Sequence, residues 1–265
     1  EIEMIVKETG INHFEFSDST FNIPLDHAKA VLRAVNAKKL DIHLQIMGLN
    51  PGTVDEELIN LMKASNFKEI QVGVESCSDK VLACLQKNYR KADILKAGEI
   101  IRKSGIPVMW HLMTGAPVEN EETLKETFDT ILGIASKWDI IVVMNAIRAY
   151  KGSKITDLMQ MENPGCSKDN FLRPLFYSPR NISIDAMRIF NKRVAFRNPN
   201  VLFPDEVQRV PFILLKIASG VMQLVAPQNP WWQFNIFINK VQKILAITSL
   251  KRLLYERKIA KFQKP

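Results

Sequence analysis

Three apolar segments of this 265-residue chain are typical of β-strands. Each is followed by polar residues and then by a predicted helix. Asp18-Ser19-Thr20 follow the first strand, Glu75-Ser76 follow a later one, and Thr114 to Pro117 follow the next. Parallel β/α proteins bind their ligands at the carboxyl edge of the sheet, where such strands end. We therefore expect these three segments to meet there and to form the functional site.

A histidine and two glycines add to this candidate site. His111 lies on the same strand face as Met109 and Met113, because strand side chains alternate between faces. A single histidine among apolar neighbours is more often a core residue than a ligand, so spacing alone favours the core role. Gly73 and Gly115 lack side chains and would let a ligand approach the backbone closely.

The elements that position these residues alternate between strand and helix up to about residue 150. Such alternation predicts a parallel sheet of repeated βα units, either a (β/α) barrel or an open doubly wound sheet. Thr53 and Asn120 precede acidic first turns and are the predicted N-caps of two helices. The predicted strands are 13–17, 41–47, 69–75, 107–113 and 139–146, and the predicted helices are 1–9, 25–37, 54–65, 78–86, 92–104 and 121–136.

The regular alternation stops where prolines become frequent, and we predict a boundary there between residues 1–160 and a mainly helical extension, residues 161–265. Residues 188–265 carry 14 Lys+Arg against 3 Asp+Glu, a net charge of +11, which leaves −3 for the rest of the chain. A basic tail can bind an anionic surface such as RNA, a lipid membrane or an acidic partner, although it is more often a solvated surface. The predicted helices of the extension are 183–197, 207–225 and 232–262.

Composition and cysteine usage indicate a globular, cytoplasmic protein. The chain is 46% hydrophobic and 24% charged, which excludes a disordered or fibrous protein. Cys77, Cys84 and Cys166 form no CxxC pair, so a reducing compartment is expected. The apolar stretch 210–226 is interrupted by polar residues and is too short for a membrane span.

Four of these segments resemble, in order, motifs of the radical S-adenosylmethionine superfamily, especially the large group that often carries an upstream cobalamin-binding domain. The resemblance runs from about residue 1 to 160. Residues 14–21 are similar to the family's second strand, and residues 72–76 to its fourth strand. Residues 114–123 resemble its glycine-proline turn after the fifth strand, and residues 148–155 resemble the segment after its sixth.

The resemblance implies a partial (β/α)6, TIM-like barrel of the α/β class that contains the second to sixth strands. It implies that residues 18–20 face the methionyl amino group, that Glu75 accepts from the ribose hydroxyls, and that Lys87 pairs with the carboxylate. His111 would point at the cofactor, and residues 115–117 would line the adenine pocket. The implied S-adenosylmethionine-binding residues are Asp18, Ser19, Thr20, Glu75, Ser76, Lys87, His111, Gly115, Ala116 and Pro117.

The sequence departs from the family in its cysteines. Members hold a [4Fe–4S] cluster with a CxxxCxxC loop, because three thiolates leave one iron open for the methionine end of the cofactor. This loop does not occur here, and Cys77, Cys84 and Cys166 are expected to be ordinary thiols. The chain opens inside a predicted helix that follows the cysteine loop in the family, so we expect the cluster ligands upstream, in a longer protein. Val118 and Lys151 also replace a common glycine and a common proline.

The resemblance implies that the complete protein cleaves S-adenosylmethionine reductively to methionine and a 5′-deoxyadenosyl radical, with flavodoxin or ferredoxin as electron donor. It would then abstract hydrogen from an unidentified substrate or transfer a methyl group through cobalamin bound upstream, whereas this fragment alone would be inactive. The alternative is a degenerate, non-catalytic barrel that acts as a binding or assembly module through its basic tail. A hydrolase or dehydrogenase is disfavoured, since a nucleophile elbow, a GxGxxG and a P-loop are absent from the sequence.

Overall fold

A computed structural model describes residues 1–162 and 174–204, together with residues 220, 224, 233 and 236. Strands and helices alternate through most of these ranges. The elements are α1 (Ile2–Thr9), β1 (His13–Phe16), α2 (Leu25–Lys38), β2 (His43–Ile46), α3 (Glu56–Ala64), β3 (Ile70–Glu75), α4 (Asp79–Cys84), α5 (Lys91–Ser104), β4 (Val108–Thr114), α6 (Glu121–Ile134), β5 (Ile140–Asn145), β6 (Arg148–Ala149), α7 (Lys154–Glu162), β7 (Leu175–Phe176), α8 (Ile184–Arg197) and β8 (Val201–Leu202).

The long strands lie side by side in chain order and are all parallel. β1 pairs with β2, and β3, β4, β5 and β8 form a second ladder in that order. Two bridges, Leu44 to Phe67 and Leu49 to Val72, connect β2 to β3. A doubly wound sheet reverses its strand order, whereas a barrel keeps it. The partial barrel predicted from the sequence is therefore confirmed; the described strands do not close into a ring, and β1 has β2 as its only described partner.

The core lies between the outer side of this sheet and the helices. Alternate residues of β3 and β4 are fully buried there, among them Val72 and Trp110, and they pack with α3, α5 and α6. Each fully buried large apolar side chain contributes about 1.5–3 kcal/mol to folding. The opposite side of the sheet, which we call the inner face, is only half-buried along β3 and β4. The amino end of this inner face is covered by Ile236, which packs with Ile140.

The helix caps agree with the sequence at one predicted position and differ at the other. Asn120 caps α6, and its side chain accepts from the Thr123 amide, as predicted. The cap of α3 is Asp55 rather than Thr53, because the Asp55 carboxylate accepts from the Leu58 amide at 2.8 Å. Thr53 instead ends a short 3₁₀ turn. The charged oxygen two residues later is the better acceptor at a positive helix terminus.

The predicted strands and helices up to residue 146 are confirmed to within two residues at each end. The antiparallel pair of β6 and β7, helix α7 and strand β8 were not predicted. The prediction for 183–197 is confirmed by α8, while those for 207–225 and 232–262 lie almost entirely outside the described residues. Within the described ranges, every helix is too short or too polar to cross a lipid bilayer.

Candidate cofactor-binding site

Glu75 and Lys87 meet at the carboxyl end of β3. The Lys87 Nζ donates to the Glu75 Oε1 at 3.0 Å, and the two side chains are 30% and 24% exposed. Glu75 has a φ of 59°, an unusual conformation for a residue with a side chain. Nearby, the Tyr89 hydroxyl donates to the backbone carbonyl of Gly73 at 3.0 Å and ties the following loop to the strand. The structure thus brings together an accessible cation and anion that the sequence predicted separately.

Gly73 leaves the inner face without a side chain beside this pair. Gly73 is opposite His111 in the parallel register of β3 and β4. A Cβ atom added at Gly73 would have no atom nearer than 3.9 Å, and one of these neighbours is the Glu75 carboxylate. A Cβ atom there would make ordinary van der Waals contacts, and its absence allows a ligand to approach the backbone of Gly73 closely, between His111 and Glu75.

His111 is half-buried on the inner face, and its ring is held by a residue that sequence reasoning missed. The His111 Nε2 lies 3.1 Å from the Gln71 Oε1 on the neighbouring strand. Burial lowers the pKa of His111, and the nearby Glu75 carboxylate offsets this only in part. Gln71 could have been found from the alternation of β3, since it is a polar residue on the face that also carries Gly73 and Glu75.

The loop after β4 turns sharply at Gly115. This residue has a φ of 101°, and a Cβ atom there would lie 2.9 Å from the Cα of Ala146, which follows β5. A residue with a side chain would therefore collide with the neighbouring strand end. Ala116 is buried and Pro117 is half-buried, so this predicted segment packs at the carboxyl edge of β4 and β5.

A buried carboxylate holds this loop from inside. Glu119 Oε2 accepts from the backbone amides of Gly115 and Ala116 at 3.0 and 3.4 Å, and its Oε1 accepts from the Thr123 hydroxyl at 2.9 Å. Burial raises the pKa of Glu119, although these three donors act in the opposite direction. Glu119 was not predicted as a site residue, and its place four residues into a polar loop gave no signal for this role.

The segment of Asp18, Ser19 and Thr20 lies at the carboxyl ends of β1 and β2. Asp18 and Ser19 are exposed and Thr20 is half-buried. The Phe21 amide donates to the Gly48 carbonyl at 3.0 Å and holds the segment against β2. The segment thus shares the carboxyl edge with Glu75, but no described contact joins it to the Glu75–Lys87 pair.

Ser76 lies on the opposite side of the sheet from Glu75. It is buried, and its hydroxyl contacts the Thr127 hydroxyl of α6 at 2.8 Å and accepts from the Ser78 amide at 3.1 Å. In this conformation it anchors the turn after β3 to α6. Its predicted role in binding S-adenosylmethionine remains a prediction.

The described residues do not supply the ligands of an iron–sulfur cluster. Burial raises the pKa of the Cys77 thiol to about 12, which opposes the thiolate that a metal requires. Cys84 is half-buried, and Cys166 lies outside the described residues. In residues 1–162 and 174–204 no three metal-binding side chains cluster. We therefore assign no step of a reaction through a cluster to these residues.

The same edge does suit S-adenosylmethionine, which carries an amine, a carboxylate, a sulfonium and ribose hydroxyls. A lysine can bind the carboxylate, and a glutamate accepts from hydroxyl or amino groups. Lys87 and Glu75 supply these two groups beside Gly73. The accessible groups thus match the chemical character of the ligand that the sequence resemblance implies.

The parallel sheet in chain order, with charged groups where β3 ends, defines a partial (β/α) barrel protein with a candidate ligand site at its carboxyl edge. A family model described as the radical SAM superfamily matches residues 1–131. Over these residues, just under half of its length, the chain matches the radical S-adenosylmethionine superfamily.

Two relatives by sequence are methyltransferases. An uncharacterised methyltransferase of Pyrococcus horikoshii is 22% identical over 231 residues, which are 84% of this chain and 49% of the relative. A tryptophan 2-C-methyltransferase of Streptomyces laurentii is 24% identical over 146 residues, 50% of this chain and 24% of the relative. The chain thus spans about half or less of the length of these relatives.

Two solved structures share the fold over nearly the whole chain. The radical S-adenosylmethionine methyltransferase TsrM from Kitasatospora setae, with cobalamin and a [4Fe–4S] cluster bound, has a TM-score of 0.68 at 16% identity and covers 93% of this chain and 54% of its own. The cobalamin-dependent S-adenosylmethionine radical enzyme OxsB, with aqua-cobalamin bound, has a TM-score of 0.58 at 11% identity and covers 92% and 41%. At these identities the likeness shows the fold.

Proposed function

We propose that the carboxyl edge of this barrel binds S-adenosylmethionine and that the protein containing this chain is a radical S-adenosylmethionine enzyme. The observation that carries the proposal is the accessible Glu75–Lys87 pair beside Gly73. The match to this superfamily supports the choice of ligand. In such an enzyme the cofactor, reduced through a cluster, supplies methionine and a 5′-deoxyadenosyl radical, and the barrel residues bind and orient it.

The ion pair is suited to opening when the ligand binds. A pair about a quarter to a third exposed contributes only about 0–1 kcal/mol, so its loss is a small cost. Lys87 then binds the methionyl carboxylate, while the Glu75 carboxylate accepts from the ribose hydroxyls. Residues 18–20 face the amino group and residues 115–117 line the adenine, as the family resemblance implies.

Methyl transfer is the reaction outcome that we favour over hydrogen abstraction. Both relatives described above are named methyltransferases, and both solved structures contain cobalamin. The cofactors of the complete protein would be S-adenosylmethionine, a [4Fe–4S] cluster and cobalamin, with flavodoxin or ferredoxin as electron donor in the cytoplasm. The methyl acceptor is left unassigned, because fold alone does not identify a substrate.

The test measures S-adenosylmethionine binding and iron content in the complete gene product, prepared without oxygen. Glu75→Gln and Lys87→Met each remove one charged contact, worth about 1.5–3 kcal/mol, so affinity is expected to fall about 10- to 100-fold. Iron content should stay unchanged, because neither residue is proposed to hold the cluster. Equilibrium dialysis gives the affinity of each variant.

A matched control is available in the same chain. Lys91 pairs with Glu126 at 3.1 Å, with exposures of 34% and 39%, on the helices α5 and α6. Lys91→Met should therefore leave binding unchanged. Equal losses for Lys87→Met and Lys91→Met would refute the assignment of the site, and a wild-type protein that does not bind S-adenosylmethionine would favour the non-catalytic binding module.

A further inference from the structure

Three polar side chains form a hydrogen-bonded chain along the inner face, and they connect a buried glutamate to His111. The Gln71 Nε2 donates to the Glu69 Oε1 at 3.1 Å, and the Gln71 Oε1 lies 3.1 Å from the His111 Nε2. Glu69 is 6% exposed. This hydrogen-bonded series runs along the inner face from the amino end of β3 towards Gly73.

The glutamate fixes the orientation of the Gln71 amide. The amide nitrogen faces Glu69, because the Glu69 Oε1 is the acceptor of this hydrogen bond and only the nitrogen of the amide can donate. The amide oxygen then faces the ring of His111. Amide orientation is normally ambiguous and has to be assigned from such a network, and here the contact with the carboxyl group of Glu69 decides it.

The amide oxygen in turn fixes the protonation of the ring. Because an oxygen can only accept, the His111 Nε2 must carry a hydrogen and donate it. Burial lowers the pKa of His111, which keeps the ring neutral at neutral pH. The Nδ1 atom is then the unprotonated nitrogen, with a lone pair available.

The Nδ1 atom has no hydrogen-bond partner among the described residues, and the His111 side chain is half-buried rather than fully buried. The ring lies opposite Gly73, where a ligand can approach the backbone closely, and the Glu75 carboxylate is close by.

We infer that Glu69 and Gln71 are positioning residues that hold His111 as the Nε2–H tautomer, so that Nδ1 accepts a hydrogen bond from a hydroxyl or amino group of the bound ligand. The identity of that ligand as S-adenosylmethionine rests on the proposed function. The hydrogen-bonded series of Glu69, Gln71 and His111, which we call the relay, is present in the chain without a ligand.

The experiment is ¹⁵N NMR of the 265-residue chain labelled at its four histidines. His111 is assigned by the signal that disappears in His111→Gln. In the wild type, the Nδ1 shift should sit at the limit of a fully unprotonated ring nitrogen. In Gln71→Met and Glu69→Gln the restraint is lost, so this shift should move towards the average of the two tautomers.

Gln45→Met is the matched control, because Gln45 lies on the same side of neighbouring β2 and makes no described contact with His111. It should leave the His111 signals unchanged. An averaged shift in the wild type, or a shift fixed in all variants alike, would overturn the relay. A purely structural role for Gln71 would alter stability without changing the tautomer.

A second step adds S-adenosylmethionine to the complete gene product, prepared without oxygen, with its binding followed by dialysis. A bound ligand that moves the Nδ1 signal supports the acceptor role, and a bound ligand that leaves it in place overturns that role. If S-adenosylmethionine does not bind, the proposed function fails, while the tautomer of the free chain still decides the relay.

Discussion

Replacing Glu119 with alanine would remove the buried acceptor that closes the loop after β4. The Gly115 amide loses a bond of 3.0 Å, and the Ala116 amide loses a longer one of 3.4 Å. The Thr123 hydroxyl keeps a second acceptor, the Asn120 carbonyl at 3.0 Å. A buried donor left unpaired costs about 1–3 kcal/mol. The short Gly115 bond is lost at its full cost and the longer Ala116 bond at part of that cost. Glu119→Ala should therefore lower the free energy of unfolding by about 2–4 kcal/mol.

Glu119→Gln should preserve the hydrogen bonds that hold the loop after β4. The amide oxygen can accept from Gly115 as the carboxylate does, and the amide nitrogen can donate to the Thr123 Oγ1. This variant also has no charge to bury. Its free energy of unfolding at neutral pH should equal or exceed that of the wild type.

The pH dependence gives a second signature of this carboxyl group. Burial raises the pKa of Glu119 above its ordinary value of 4.5, so folding favours the protonated form. The protonated Glu119 side chain therefore contributes its full stabilisation below pH 4.5, and this contribution is lost as the pH rises through the raised pKa of the folded state. The stability of Glu119→Gln relative to the wild type should therefore increase from pH 4 to pH 7.

Urea unfolding at several pH values measures these differences. Glu122→Ala is the control, since Glu122 is an exposed residue in the first turn of α6. The reasoning is refuted if Glu119→Ala is within about 0.5 kcal/mol of the control, the usual range for surface substitutions, or if the glutamine variant loses as much as the alanine variant.

Two further predictions concern the neighbouring elements. Gly115→Ala should destabilise the chain by about 2 kcal/mol or more, because Gly115 has a positive φ and an added Cβ would lie 2.9 Å from Ala146. Gly133→Ala is the control: Gly133 lies on helix α6 with free space around it, so this variant should be neutral or stabilising. Thermal unfolding compares the two variants. In a Cys166→Ser background, a thiol reagent should modify Cys84 in the folded chain and Cys77 only on unfolding, because the Cys77 thiol is buried with a pKa of about 12. Equal reaction of both thiols in the folded state would contradict this burial.

Local patterns predicted most of the barrel because each element here depends on residues close in sequence. The period of two in β3 and β4 and the Asn120 cap are examples. The pair of β6 and β7 was missed because it joins two-residue strands about 26 residues apart, too short for a periodic signal.

The site was predicted as a set of segments rather than as a set of contacts. Polar residues at strand ends identified Glu75 and Lys87, and the structure joins them. The alternation of β3 places Ser76 on the opposite side from Glu75, but the sequence does not reveal its contact with Thr127 of α6. The Gln71–His111 bond likewise depends on the register between two strands.

β1 pairs on one side with β2, and the described residues give it no partner strand on the other side. A further extended segment would find backbone donors and acceptors there. Such an edge is a template for intermolecular pairing. Polar side chains on such a strand disfavour aggregation, and the exposed His13 and Glu15 place polar groups on β1.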